Sequence, residues 1–139
     1  MKNIRVLLVD DEEGFSSVLA KRLNRRGVEV TTAVSGEEAL QYLDTELYHV
    51  VILDMKMPGM DGMQALRIIK NRHPLVEVIL LTGNADMDCA VQSMTSGAFD
   101  FMLKPVSTES LLHRISDAAG SSQMRREKSH ARTAPGHES

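Results

Sequence analysis

Five short apolar runs punctuate the chain, at residues 4–9, 28–33, 50–53, 76–81 and 99–103, and four of them are rich in Val, Ile or Leu rather than alternating with polar residues. Unbroken apolar runs of this length suit strands that are covered on both faces. Between the runs, apolar positions recur at helical spacing: Phe15, Val18, Leu19 and Leu23; Ala39, Leu40 and Leu43; Leu66 and Ile69, with Arg72 in phase; Ala90, Val91 and Met94; Leu111, Leu112 and Ile115. The pattern is strand then helix, five times over. Gly27 and Gly97 stand where helix ends favour a left-handed residue, Ser35 and Glu38 have the spacing of a capping box, and Pro74 stops the third helix.

Such alternation requires right-handed crossovers and a parallel sheet with helices on both faces. In a chain of 139 residues, 42% hydrophobic, the expected fold is therefore α/β: a (βα)5, flavodoxin-like, doubly wound five-stranded parallel sheet. Residues 1–120 form the expected domain. Residues 121–139 are small, charged and polar with a single Met, so they are expected to be a flexible polar and basic tail or a cut linker; Gly120 and the two following serines argue against continuing the last helix.

Charge and cysteine content narrow the function classes. Residues 121–139 carry four Lys/Arg against two Asp/Glu, which leaves 12 against 17, or −5, in the first 120. No basic face suited to nucleic acid emerges, so direct nucleic-acid binding by this domain is not expected. The lone Cys89 fits a reducing compartment, and neither a leader nor an apolar run of membrane-spanning length is present, so a cytoplasmic protein with no membrane partner is expected.

The candidate chemistry lies at the strand ends. The first run is followed by Asp10 and Asp11, the third by Asp54, the fourth by Thr82 and Gly83, and the fifth by Lys104 and Pro105. In a doubly wound sheet these termini converge on one edge. Three crowded carboxylates repel and raise one another's pKa, so the arrangement is sensible at neutral pH if a cation belongs among them. Oxygen-only ligands point to a hard cation, and a few carboxylates completed by water and a phosphate oxygen suit Mg²⁺. A carboxylate can itself be the nucleophile in phosphoryl transfer, with a metal, a Lys and a hydroxyl neutralising the transferred group. Asp54, flanked by the other acids and facing Lys104, is the expected nucleophile.

The segments VLLVDDE, VVILDMKMPGMDG, VILLTGNAD and GAFDFMLKPV resemble, in order and separation, the four signature segments of response-regulator receiver domains. The likeness spans roughly residues 3–118. It implies that Asp54 is phosphorylated by a sensor histidine kinase or phosphotransfer protein. It further implies that Asp11 and Asp54 hold Mg²⁺ directly together with the Lys56 backbone carbonyl, and that Asp10 acts mostly through water. By the same resemblance Lys104 pairs with the phosphoryl oxygens, Thr82 swings its hydroxyl onto the group, Phe101 rotates inward as the switch aromatic, and Lys104–Pro105 is a cis peptide. The output would be read on the fourth helix, fifth strand and fifth helix, by an effector protein or a missing output domain. Lys56 and Asn84, each two residues past a site residue, flank the path of attacking water and would set the acyl-phosphate lifetime. The fourth helix lacks Lys and Arg, which disfavours an ion-paired dimer through that face, while weak self-association stays open.

Other readings compete for the same residues. Asp10 and Asp11 would also serve as helix caps, Asp61 and Gly62 read as turn and helix-start chemistry, the five His show no ligand spacing, and Met57, Met60 and Met63 read as loop packing. An aspartate-nucleophile phosphatase of the haloacid-dehalogenase type would carry a second Asp two residues after its nucleophile. Here Asp10 is followed by Asp11 and Glu12, and position 56 is Lys. A docking module that never takes up phosphate would have lost an acid or the Lys, and none is missing.

Overall fold

A computed structural model of the protein describes residues 3–83 and 87–133. The strands β1 (Arg5–Val9), β2 (Glu29–Ala33), β3 (Val50–Asp54), β4 (Glu77–Thr82) and β5 (Asp100–Leu103) form one sheet, all pairs parallel, in the order β2-β1-β3-β4-β5. They alternate with α1 (Glu13–Arg25), α2 (Gly36–Thr45), α3 (Gly62–Arg72), α4 (Met87–Thr95) and α5 (Thr108–Thr133). This is the expected doubly wound α/β fold.

The continuous apolar runs follow from the two-sided core. Side chains alternate faces along a strand. Leu7, Val9, Val51, Leu53, Val78 and Leu80 pack with Leu40, Leu43, Leu66 and Ile69 of α2 and α3. The intervening Val6, Leu8, Val50, Ile52, Ile79 and Leu81 pack with Leu19 and Leu23 of α1 and Leu111 and Ile115 of α5. The central strands thus have no solvent face, whereas β2, at an edge, is only partly covered and carries Thr31 and Thr32.

Local chemistry sets the joints. Ser35 caps α2 by accepting from the Glu38 N–H at 3.1 Å, and the Glu38 carboxylate reaches back to the Val34 N–H at 2.8 Å. Gly27 and Gly97 follow α1 and α4 with φ of +90° and +103°, the left-handed backbone that glycine adopts without penalty. His49 has a structural role: its Nδ1 accepts the Arg5 N–H at 3.0 Å, and burial, followed by the nearby charges of Arg126 and Arg5, lowers its pKa.

Two expectations about the helices need correction. In α4 the apolar positions do not all face inward: Val91 is 60% and Met94 47% exposed, while Ser93 is fully buried with its hydroxyl donating to the Ala90 carbonyl at 2.8 Å. A serine that satisfies itself on its own helix can enter a core at little cost. The larger correction concerns the end of the domain. Rather than fraying after Ala119, α5 runs through Gly120 to Thr133. Tertiary hydrogen bonds replace the missing apolar stripe. The buried Ser122 hydroxyl donates to the Leu75 carbonyl at 2.7 Å, Arg126 donates to the Tyr48 carbonyl at 2.6 Å, and Glu77 accepts from Ser121 at 2.7 Å and Arg125 at 3.1 Å. Glu77, itself buried, also pairs with Lys70 at 3.5 Å. The serines that lower helix propensity here supply the contacts that hold the helix down.

Glu77→Ala removes the acceptor shared by Ser121, Arg125 and Lys70. It should speed hydrogen exchange across residues 121–129 while leaving 109–118 protected, and should lower stability by about 1–3 kcal/mol, the scale of losing hydrogen bonds to a charged acceptor. Unchanged exchange in 121–129 would show that the latch does not hold the helix.

Candidate functional site

The strand order changes direction between β1 and β3, so their carboxyl ends diverge to neighbours on opposite sides and leave a crevice. Asp10 follows β1 directly and is 2% exposed; its N–H donates to the Ala33 carbonyl at 3.0 Å, continuing the β1–β2 ladder. Asp54 ends β3 at 7% exposure. Thr82 ends β4 and is also buried, and its carbonyl accepts from the Lys104 N–H at 2.7 Å, which pins the end of β5 to it. The Lys104–Pro105 peptide is cis.

Carboxylate oxygens of Asp10, Asp11 and Asp54 all lie within 4.8 Å of one another, Asp11 being the exposed member. The Lys104 ammonium faces them, 2.9 Å from Asp10 Oδ2 and 3.7 Å from Asp54 Oδ1, and it lies over the Phe15 ring at 4.3 Å from the centroid. Burial and then the charge of Asp10, with a smaller contribution from Asp11, raise the Asp54 pKa, against the opposing pull of Lys104 and a hydrogen bond from the Lys56 backbone N–H. Burial alone would lower the Lys104 pKa, but the hydrogen bond and charge of Asp10, with Asp54 and Glu12, leave it raised. One ammonium among three carboxylates leaves net negative charge in a half-buried place. The donor set is all oxygen, which fits a hard divalent cation.

The loop after β3 is fixed by a close approach. Asp61 caps α3 in a full capping box with Gln64, at 2.9 and 3.1 Å, and the next residue, Gly62, donates its N–H to the Met55 carbonyl at 3.0 Å. A Cβ on Gly62 would lie 2.6 Å from Met55 Cα and 2.7 Å from the Asp54 carbonyl oxygen. The helix start thus rests against the backbone of the buried carboxylate, a constraint beyond the turn chemistry expected from sequence. Met57 and Met63 are buried in the core beside this loop and Met60 packs against it, in line with the loop-packing reading.

The convergent groups open into a polar cavity of about 630 Å³ lined by Asp11, Glu12, Asp54, Lys56, Thr82 and Lys104. A second cavity, about 590 Å³ and largely apolar, shares Lys56 and Thr82 with the first and is also lined by Met55, Met57, Cys89 and Phe101. Phe101 is half-buried and packs against the α2–α3 side of the core. Every anticipated site residue is brought to this edge, whereas Asn84 lies outside the described residues. Glu12 was missed: it occupies the N-cap of α1 and reaches Lys104 at 3.4 Å. Its only sequence signal is a third acid following the pair.

The family model described as the response regulator receiver domain matches residues 6–116. This chain belongs to the response-regulator receiver family. It is 43% identical over 98 residues to the DNA-binding transcriptional regulator NtrC of Klebsiella pneumoniae, a match that covers 70% of this chain and 21% of that protein. Among solved structures it resembles a response regulator receiver domain protein from Clostridium thermocellum, with TM-score 0.83, 37% identity, and coverage of 88% of this chain and 98% of that one. It also resembles NtrX from Brucella abortus, with TM-score 0.85 and 30% identity over 96% of this chain and 31% of that one. The chain therefore spans about a fifth of the length of the NtrC relative it matches. Among the described residues, no helix is long and apolar enough to cross a membrane.

Gly62→Ala would force the α3 start away from the Asp54–Met55 backbone. It should cost about 1–3 kcal/mol in urea unfolding, as overpacking does, and shift the amide resonances of residues 54–57. A variant as stable as the parent, with those resonances unmoved, would show that the approach does not position the site.

Proposed function

We propose that this receiver is a phosphorylation-dependent switch in which Asp54 accepts a phosphoryl group from the phosphohistidine of a sensor histidine kinase or phosphotransfer protein. The observation that carries this reading is the meeting of three carboxylates and one buried-facing ammonium at the mouth of a polar cavity. An Asp54 carboxylate oxygen attacks phosphorus as the phosphorus–nitrogen bond breaks, and the imidazole leaves with the bonding pair and takes a proton. Water later cleaves the acyl phosphate, restoring the carboxylate and releasing inorganic phosphate. The chain's own part is positioning and charge, which is most of what phosphoryl transfer asks of a protein.

Asp11 and Asp54 would hold Mg²⁺ directly, with the Lys56 backbone carbonyl, and Asp10 through water. When bound, the ion neutralises the carboxylates and the developing charge on the phosphoryl oxygens. Lys104, which already faces Asp54 at 3.7 Å, pairs with the transferred group. Thr82, on the wall between the two cavities, turns its hydroxyl toward the phosphoryl oxygens, and Phe101 moves into the space beside it. A phosphoryl group adds about two negative charges, enough to bias two arrangements of these side chains. The α4-β5-α5 face, where Val91, Met94 and Leu103 are exposed, carries the output to an effector protein or to an output domain, inside the cytoplasm.

Incubation with acetyl phosphate and Mg²⁺ should give a single phosphoryl adduct by intact mass. It should disappear in Asp54→Asn and in excess EDTA, and fall by a factor of ten or more in Lys104→Ala, the scale of removing one charge-stabilising group. An adduct that persists in Asp54→Asn, or that forms equally without metal, would refute the assignment.

A further inference from the structure

Lys104 is held by more than the two aspartates it faces, Asp10 and Asp54. Its Nζ also donates to Glu12 Oε1 at 3.4 Å. Glu12 occupies the N-cap of α1, yet its side chain makes no cap hydrogen bond. Capping favours Ser, Thr, Asp and Asn, whose short side chains can turn back onto the first helical N–H groups. Instead the longer Glu12 side chain extends across the crevice to Lys104. The contact closes a ring: the Glu12 N–H donates to Asp10 Oδ1 at 2.9 Å, Asp10 Oδ2 accepts from Lys104 at 2.9 Å, and Lys104 returns to the Glu12 carboxylate. Glu12 also lines the polar cavity together with Asp54, Thr82 and Lys104.

We propose that Glu12 is a positioning residue acting through Lys104: it draws the ammonium toward the cavity rim and competes for it with an incoming phosphoryl group, so that it restrains phosphorylation of Asp54. This rests on the reading of Asp54 as the phosphoacceptor. The ammonium has three donors, and in the resting chain they face Asp10, Glu12 and Asp54. To meet the phosphoryl oxygens Lys104 must give up a partner. The Glu12 side chain is 68% exposed and that of Asp10 is 2% exposed, so the Glu12 contact is the one that water replaces most readily. A contact with so exposed a partner acts as a modest brake, on the order of two- to fivefold. Glu13 serves as the control: it carries the same charge one residue on, is exposed, and borders a different cleft beside Ser17 and Lys21.

The test compares wild type, Glu12→Gln, Glu12→Asp and Glu13→Gln by two readouts, the ¹⁵N resonance of the Lys104 ammonium in the resting protein and the rate of phosphorylation by acetyl phosphate at saturating Mg²⁺. Glu12→Gln should move the Lys104 resonance and raise the rate about two- to fivefold. Glu12→Asp, one methylene shorter, should behave like Glu12→Gln, and Glu13→Gln should change neither readout. Equal acceleration in the Glu12 and Glu13 variants would reduce Glu12 to general surface charge and overturn the proposal, as would an unmoved Lys104 resonance in Glu12→Gln. Wild type that accepts no phosphoryl group would strike the reading of Asp54, while the Lys104 resonance would still decide whether Glu12 holds the ammonium.

Discussion

Three carboxylates held within reach of one another, with one ammonium to offset them, are the constraint on which the rest of this structure depends. Asp10 and Asp54 are almost fully withdrawn from water, where an uncompensated charge is costly. The fold keeps them there because β1 and β3 are adjacent central strands buried on both faces and cannot turn their last residues outward without disturbing two core clusters. Lys104 arrives from the far side of the sheet, carried by β5 and tied through its N–H to the carbonyl of Thr82. Burial first, and then the negative charge of Asp10, raise the Asp54 pKa above that of an ordinary aspartate. The all-oxygen donor set of this edge fits a hard divalent cation.

The two edges of the sheet serve different ends. At the carboxyl edge, charged groups are concentrated around a polar cavity, and Thr82 and Lys56 form a wall shared with the apolar space that Phe101 borders. At the amino edge, Glu77 and the carbonyls of Tyr48 and Leu75 anchor the continuation of α5. The central strands are packed on both faces, and a close-packed interior of this kind resists small displacements.

The fold was legible because burial on both faces leaves a plain sequence trace: the central strands are unbroken apolar runs, and the residues that follow them, Asp10, Asp54, Thr82 and Lys104, are conspicuously polar. Once strand order is granted, their meeting at one edge follows. What escaped depends on partners distant in sequence. Residues 121–129 resemble a solvated tail because their stabilisation comes from acceptors at positions 48, 75 and 77 rather than from an apolar stripe. Buried Ser93 and exposed Val91 reverse the helical pattern of α4 for a related reason: a serine bonded to its own helix counts as apolar, and a valine on a face left uncovered does not reveal that in its spacing. Glu12 was read as merely the residue after an acidic pair, since only the geometry of the crevice shows that a side chain one methylene longer than Asp reaches Lys104. Gly62 showed its helix-start role in sequence, but the backbone it abuts became visible only when β3 and α3 were placed together.

The central claim is that one particular carboxylate becomes an acyl phosphate. Borohydride reduces an acyl phosphate on aspartate to homoserine, so treatment of the protein with acetyl phosphate and Mg²⁺, followed by reduction and peptide mapping, reads the acceptor directly. The account predicts homoserine at position 54 and at no other aspartate. Homoserine at position 10 or 11, or a phosphorylated protein in which no aspartate is reduced, would contradict it.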